Sequence, residues 1–202
     1  MRVSVLTLDQ QRSSTTEDAV PALLDALDSP ALPAPLLRPF QRTAGDEVQG
    51  VLDDPGVGVE VVARVLRVGG WYLGIGVGDV DAPLPEETRA GRGPAFVRAR
   101  AAVTRAKHDV HHLAVVAGDP AGEPVAEHLE TVLGLWAGIL ERRTVGGWAV
   151  HDLLATGLSY AEAGERLGIT QSAVSQRART AGIVDERRAR VLVSDLWGRL
   201  LA

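Results

Sequence analysis

Residues Ser159–Ile183 read SYAEAGERLGITQSAVSQRARTAGI, and this stretch decides the C-terminal fold. Ser159 and Glu162 have the spacing of a capping box, in which each side chain satisfies a free backbone N–H, so a helix is expected from Tyr160. Gly168 should end it, since glycine takes the left-handed conformation at little cost. Thr170 then suits the N-cap of a second helix from Gln171, and Gly182 suits its stop. Two short helices joined by Gly-Ile-Thr form a helix-turn-helix. Ala163, Leu167, Ile169, Val174, Ala178 and Ile183 fall on the facing sides, with small residues allowing a close crossing.

The other side of the second helix carries Ser172, Ser175, Gln176 and Arg179 at i, i+3, i+4 and i+7, with Thr170 and Gln171 at its start. Glutamine can pair with adenine, arginine with guanine or phosphate, and serine with either kind of acceptor. No Asp or Glu lies between Thr170 and Val184 to repel a phosphate backbone. The stretch resembles the helix-turn-helix of LuxR-type and sigma-factor-type regulators, with LGITQSAVSQ as turn and recognition helix. That resemblance implies double-stranded DNA as partner. The competing reading is a packed helical hairpin with a polar outer face.

Charge supports the placement. The chain of 202 residues has net charge −5, yet from Leu140 onward nine Arg face seven Asp plus Glu, a balance of +2 that leaves −7 elsewhere. The surface compatible with an anion therefore lies in the C-terminal part. With Cys 0 there are no disulfides, thiolate nucleophiles or cysteine zinc sites. Met1 leads directly into RVSVLTLD without a charged and apolar leader, so no secretory signal is expected, no apolar run is long enough for a bilayer, and a cytoplasmic protein follows.

Upstream, strand and helix signals alternate. Val3–Leu8 is a β-rich run ending at Asp9, Ala19–Leu27 a helix closed by the Pro-rich SPALPAP, and Leu36–Arg42 with Val48–Leu52 a hairpin about Thr43–Glu47. Val57–Val68 repeats valine and leucine at helical spacing, Gly69-Gly70 breaks it, and Trp71–Val77 is again a strand. Gly93-Pro94 opens a helix to Lys107, and His112–Val116 is a last strand. The order predicts an α+β fold, a ferredoxin-like or palm-type sheet over residues 1–120, followed by an all-helical domain over 121–202. Their boundary is expected near Gly118–Pro124.

In such a sheet the hairpin's second strand runs antiparallel beside strand one, so Asp9 should meet Asp46 and Glu47. Carboxylates brought together from distant positions can hold Mg²⁺ against nucleotide phosphates, with Gly45 leaving room for the phosphate. LTLDQQRSS, RTAGDEVQGVL, WYLGIGVGDV and GRGPAFVRARAAV, in that order, resemble the SatD family over roughly Met1–Gly118. The resemblance implies a first loop at Asp9–Ser13, a Gly-Asp-Glu turn and a Gly-Pro-Ala helix start, and speaks to fold more than activity. RTAGDEV is more distantly similar to the metal-binding hairpin of diguanylate cyclases. Here Ala44 replaces a glycine, Val48 a phenylalanine, and the second aspartate and lysine of that pattern have no counterpart.

Other candidates are weaker. Arg89, Arg92, Arg98 and Arg100 surround a helix start and read as a phosphate clamp or a solvated face. The five His lack metal spacing, and Trp136, Trp148 and Trp197 read as core. Leu192, Leu196 and Leu200, with Val193 and Trp197, form a stripe suited to a homodimer or to the chain's own core. The expected function is a DNA-binding transcriptional regulator with a SatD-like, nucleotide-sensing domain. No catalytic residue is assigned, and the alternative is a metal-dependent nucleotidyl cyclase-like enzyme with a DNA-binding tail.

Overall fold

The computed structural model describes residues 1–28, 32–118 and 122–202. Ser29–Ala31 of the Pro-rich stretch and residues 119–121 of the expected boundary lie outside them. In chain order the elements are β1 (Arg2–Gln10), α1 (Val20–Leu27), β2 (Arg38–Ala44), β3 (Glu47–Leu52), α2 (Pro55–Val68), β4 (Trp71–Asp79), α3 (Pro94–Ala106) and β5 (Leu113–Val116). They continue as α4 (Glu123–Glu141), α5 (Val145–Ala155), α6 (Tyr160–Leu167), α7 (Gln171–Thr180) and α8 (Ile183–Leu201). The architecture is α+β, as the alternation of signals predicts.

The five strands form one sheet in the order β2-β3-β1-β4-β5, antiparallel except for the parallel pair β4–β5. Strand alternation divides its residues between two faces. On one face Leu6 and Leu8 of β1 and Leu73, Ile75 and Val77 of β4 join a core with α1, α2, α4 and α8. On the other, α3 lies on β4, where Gly74, Gly76 and Gly78 occupy the facing positions. A Cβ on Gly74 would meet the Val103 backbone N at 2.2 Å, and one on Gly76 the Ala99 N at 2.1 Å. Gly74 and Gly76 thus form a bed on which the helix backbone rests, Gly78 leaves room for the Arg98 side chain, and alanines at 95, 99 and 102 complete the fit.

The sheet's main core extends past residue 120. Leu129, Leu133 and Trp136 of α4 and Val193, Trp197 and Leu200 of α8 are fully buried in it, and the Trp197 indole Nε1–H donates to Ser4 Oγ on β1 at 2.7 Å. The expected division at residue 120 therefore runs through one hydrophobic cluster. The same packing decides between the two readings of the α8 stripe: Val193, Leu196, Trp197 and Leu200 are buried in the chain's own core, and only Leu192 of that stripe is exposed, beside Val191. Helical spacing marks a covered face without naming what covers it. Among the described residues no helix is long and apolar enough to cross a membrane.

A second, smaller core holds α5, α6 and α7 together: Val150, Leu154, Ala163, Val174, Ala178, Ala181 and Ile183. Ile183 begins α8 and Trp197 lies near its end. One helix therefore roots the small core at one end and the sheet at the other.

Candidate nucleic-acid interface

Local chemistry builds the α6–α7 unit. Ser159 Oγ accepts from the Glu162 N–H at 3.3 Å while the Glu162 carboxylate accepts from the Ser159 N–H at 2.8 Å, closing the capping box. That hydrogen bonding holds the Glu162 carboxyl below its ordinary pKa. Gly168 ends α6 at φ 64°, ψ 32°, a left-handed geometry that suits glycine. Thr170 Oγ1 then accepts from the Ala173 N–H at 3.2 Å and starts α7. The turn folds back on α6 so closely that a Cβ on Gly164 would meet the Ile169 carbonyl at 2.8 Å. Ala163, Leu167, Ile169, Val174, Ala178 and Ile183 all pack in or against the small core, as their spacing predicts.

The outer face of α7 is open. Gln171, Ser172, Gln176 and Arg179 are exposed and Ser175 is half-buried, while the exposed Thr170 hydroxyl is engaged as a cap and lies 3.0 Å from Ser172 Oγ. Sequence reasoning passed over Arg177 and Arg142. Both are exposed and line a groove of about 380 Å³ between Thr144, at the start of α5, and Gln176. The Arg142-Arg143 pair before a Thr N-cap is the signal that marks this flank.

Those two arginines have opposite fates. Arg143 is buried, its Nε and Nη2 donate to the Ala181 carbonyl just beyond α7 at 3.0 and 2.8 Å, and Nη2 also reaches the Glu186 carboxylate at 2.7 Å. His151 Nε2 lies 3.5 Å from the same carboxylate and its Nδ1 3.1 Å from Asp152, which holds Arg67 of α2 in a two-bonded pair. Burial pushes the Glu186 carboxyl upward, but His151 and Arg143 outweigh it and hold the pKa below the ordinary value. The hydrogen bond to Glu186 raises His151 against the opposing effect of burial, with Asp152 adding to the rise. The Arg67 hydrogen bond holds Asp152 low.

At the sheet end, backbone and side chains tell different stories. Asp9 and Glu47 are opposite partners in the β1–β3 register, as antiparallel adjacency predicts, and Gly45-Asp46 forms the hairpin tip with Gly45 at φ 57°. The Asp46 carbonyl accepts from the Gln10 N–H at 3.3 Å. Yet the Asp9 carboxylate is bonded to Lys107 Nζ at 2.9 Å, and Glu47 accepts from Thr43 at 2.6 Å and Arg100 at 3.2 Å. Two carboxylates already matched by two cations do not make the electron-rich nest a divalent cation needs. No group of three or more metal-ligating side chains occurs among the described residues. Asp9 and Glu47 are thus each engaged by a cation of the chain itself.

Three of the four arginines read as a clamp are engaged within the chain, while Arg92 is exposed. Arg98 donates to the Val77 and Gly118 carbonyls, Arg100 pairs with Glu47, and Arg89 pairs with Glu87. Their guanidinium groups bind separate partners within the chain. Trp136 and Trp197 are core, but Trp148 is only partly buried, with Arg67 and Arg143 at 4.5 and 4.4 Å over its ring. Comparison of the chain with family models, with curated proteins and with solved structures finds no match.

Proposed function

We propose that this protein is a DNA-binding transcriptional regulator in which α7 enters the major groove and Gln171, Ser172, Ser175, Gln176 and Arg179 meet base edges and phosphates. The observation that carries the reading is the open outer face of α7: polar, solvent-facing and without an acidic residue, on a helix whose other side is locked into its own small core. Thr170 serves mainly to start the helix, and Arg142 and Arg177 flank the face with positive charge suited to phosphate. We read the strand order β2-β3-β1-β4 as a ferredoxin-like, palm-type arrangement with β5 appended, serving as the platform to which α8 anchors the reader. The matched charges at Asp9 and Glu47 favour a platform over a catalytic palm.

Selection of binding sites from random duplexes, followed by anisotropy titration at fixed salt, tests the proposal. A selected duplex should bind tightly and lose binding when Ser172, Gln176 and Arg179 are together replaced by alanine. Absence of any selected sequence, or unchanged binding by the triple variant, overturns it.

A further inference from the structure

The joint between sheet and reader holds a cleft of about 330 Å³, open to solvent on one side and in the lower part of the range of roughly 300–1,000 Å³ seen for small-molecule sites. Its walls come from α2, α4, α5 and α8, so its shape depends on how the two cores sit together. Ala63, Leu140, Trp148, Ala155 and Ile183 supply apolar surface. Four arginines, Arg64, Arg67, Arg187 and Arg190, stand against two glutamates, Glu60 and Glu186. Three of these arginines are matched within the chain: Arg64 and Arg190 by Glu60, and Arg67 by Asp152. Arg187 is exposed at the rim and has no carboxylate partner among the described residues.

We propose that this cleft binds a small organic monoanion, a carboxylate on a compact apolar body, and that its occupancy stiffens the seat of α7. The apolar walls select an apolar body. The unmatched Arg187 and the spare N–H donors of its neighbours select an anion, since each guanidinium carries five donors. The two glutamates in the wall select a single charge over a phosphate dianion. Coupling follows from position. Glu186 lines the cleft and also holds Arg143, whose other bonds grip the Ala181 carbonyl after α7, and Ile183 belongs to both the cleft wall and the small core. A ligand that tightens these walls tightens the end of α7.

Benzoate is the probe, with benzamide as its neutral isostere, inorganic phosphate as the competing anion and matched chloride as the salt control, all on the full chain. Benzoate at about ten times its Kd should raise Tm by roughly 3–6 °C. Benzamide and phosphate should raise it less, and Arg187→Gln, a rim change outside the core, should remove most of the rise. Hydrogen exchange at the Ala181 amide should slow several-fold in step with binding. No saturable benzoate effect, a larger phosphate effect, or an equal effect in Arg187→Gln overturns the site. A Tm rise with unchanged Ala181 exchange overturns the coupling. Neither readout involves DNA, so failure here leaves the reading of α7 intact.

Discussion

The outer face of α7 and the β1–β3 end of the sheet both present polar residues in a pattern suggesting ligand chemistry, but they differ in what those residues already touch. On α7 the side chains point to solvent and the packing partners lie behind them. At the sheet end, Asp9 and Glu47 face each other through the backbone register, and each is held by a cation from the α3 region, Lys107 or Arg100. Polar groups whose hydrogen bonds are made inside the chain stabilise the fold; those left open are available to a partner. Position alone does not separate the two cases, and side-chain partners do.

The largest effect should come from the buried contact behind α7. In Arg143→Met the Glu186 carboxylate remains buried without its guanidinium and the Ala181 carbonyl loses both donors. Removing one partner of a buried pair typically costs about 3–5 kcal/mol, and because His151 at 3.5 Å and Arg190 at 3.8 Å still face Glu186, the loss should fall at the lower end of that range. Urea unfolding of the full chain should show that loss. A change below about 1 kcal/mol, the scale of an exposed pair, would mean that the apolar core alone seats α7.

Next in size is the open face itself. Arg179→Ala should cost about 1–3 kcal/mol on the selected duplex if Arg179 reads a base, and should lower the salt slope by about one if it contacts phosphate. Because Arg179 is exposed, the unfolding midpoint should barely move. A variant that loses stability along with binding would place Arg179 among the structural residues and blur the contrast with the sheet end.

How much of this was legible in advance follows the range of each signal. The capping box at Ser159 and Glu162, the left-handed Gly168 and the Thr170 cap are contacts within a few residues, so local sequence specifies them and the structure contains each one. The meeting of Asp9 with Glu47 was also legible, because antiparallel adjacency follows from the order of elements. The partner of Asp9 was not: Lys107 lies 98 positions away and arrives only once α3 is seated. That seat rests on Gly74 and Gly76, whose period of two is visible in WYLGIGVGD and places them on one face of the strand without saying which helix covers it. The burial of Val193, Leu196, Trp197 and Leu200 is a similar case, in which periodicity marks an apolar face and tertiary packing supplies the partner. Arg142 and Arg143 are adjacent in sequence, yet one is exposed and the other buried. Only the geometry after α7 distinguishes them.

A smaller effect should appear with pH. His151 has its folded pKa raised above the ordinary 6.5, chiefly by Glu186, so its contribution to stability is complete below that unfolded value and is lost as pH rises through the folded one. Arg143, Asp152 and Glu186 are the charged groups that act on it. Wild type and His151→Gln, unfolded in urea at steps from below 6.5 to two units above it, should show a stability gap that narrows as pH rises. A gap that widens over that window would mean the neutral imidazole is the form the fold prefers.

The smallest expected effect lies at the sheet end, and it probes the comparison most directly. The Lys107–Asp9 pair has its lysine side chain 43% exposed, where solvent screens the attraction and the flexible stem loses entropy on pairing. Lys107→Ala should therefore cost less than about 1 kcal/mol, part of it from the ammonium's approach to the Tyr72 ring at 5.9 Å. The same substitution frees the Asp9 carboxylate beside Glu47, which Arg100 still holds. Calorimetric titration of wild type and Lys107→Ala with Mg²⁺, each with ATP or GTP, then reads the charge state of the pair. With Glu47 still matched, neither protein should bind the metal at millimolar concentration. Binding by the variant alone would show Lys107 standing where a cation can sit; binding by wild type would show that the lysine yields to it, and the sheet end would then be as open to a partner as the face of α7.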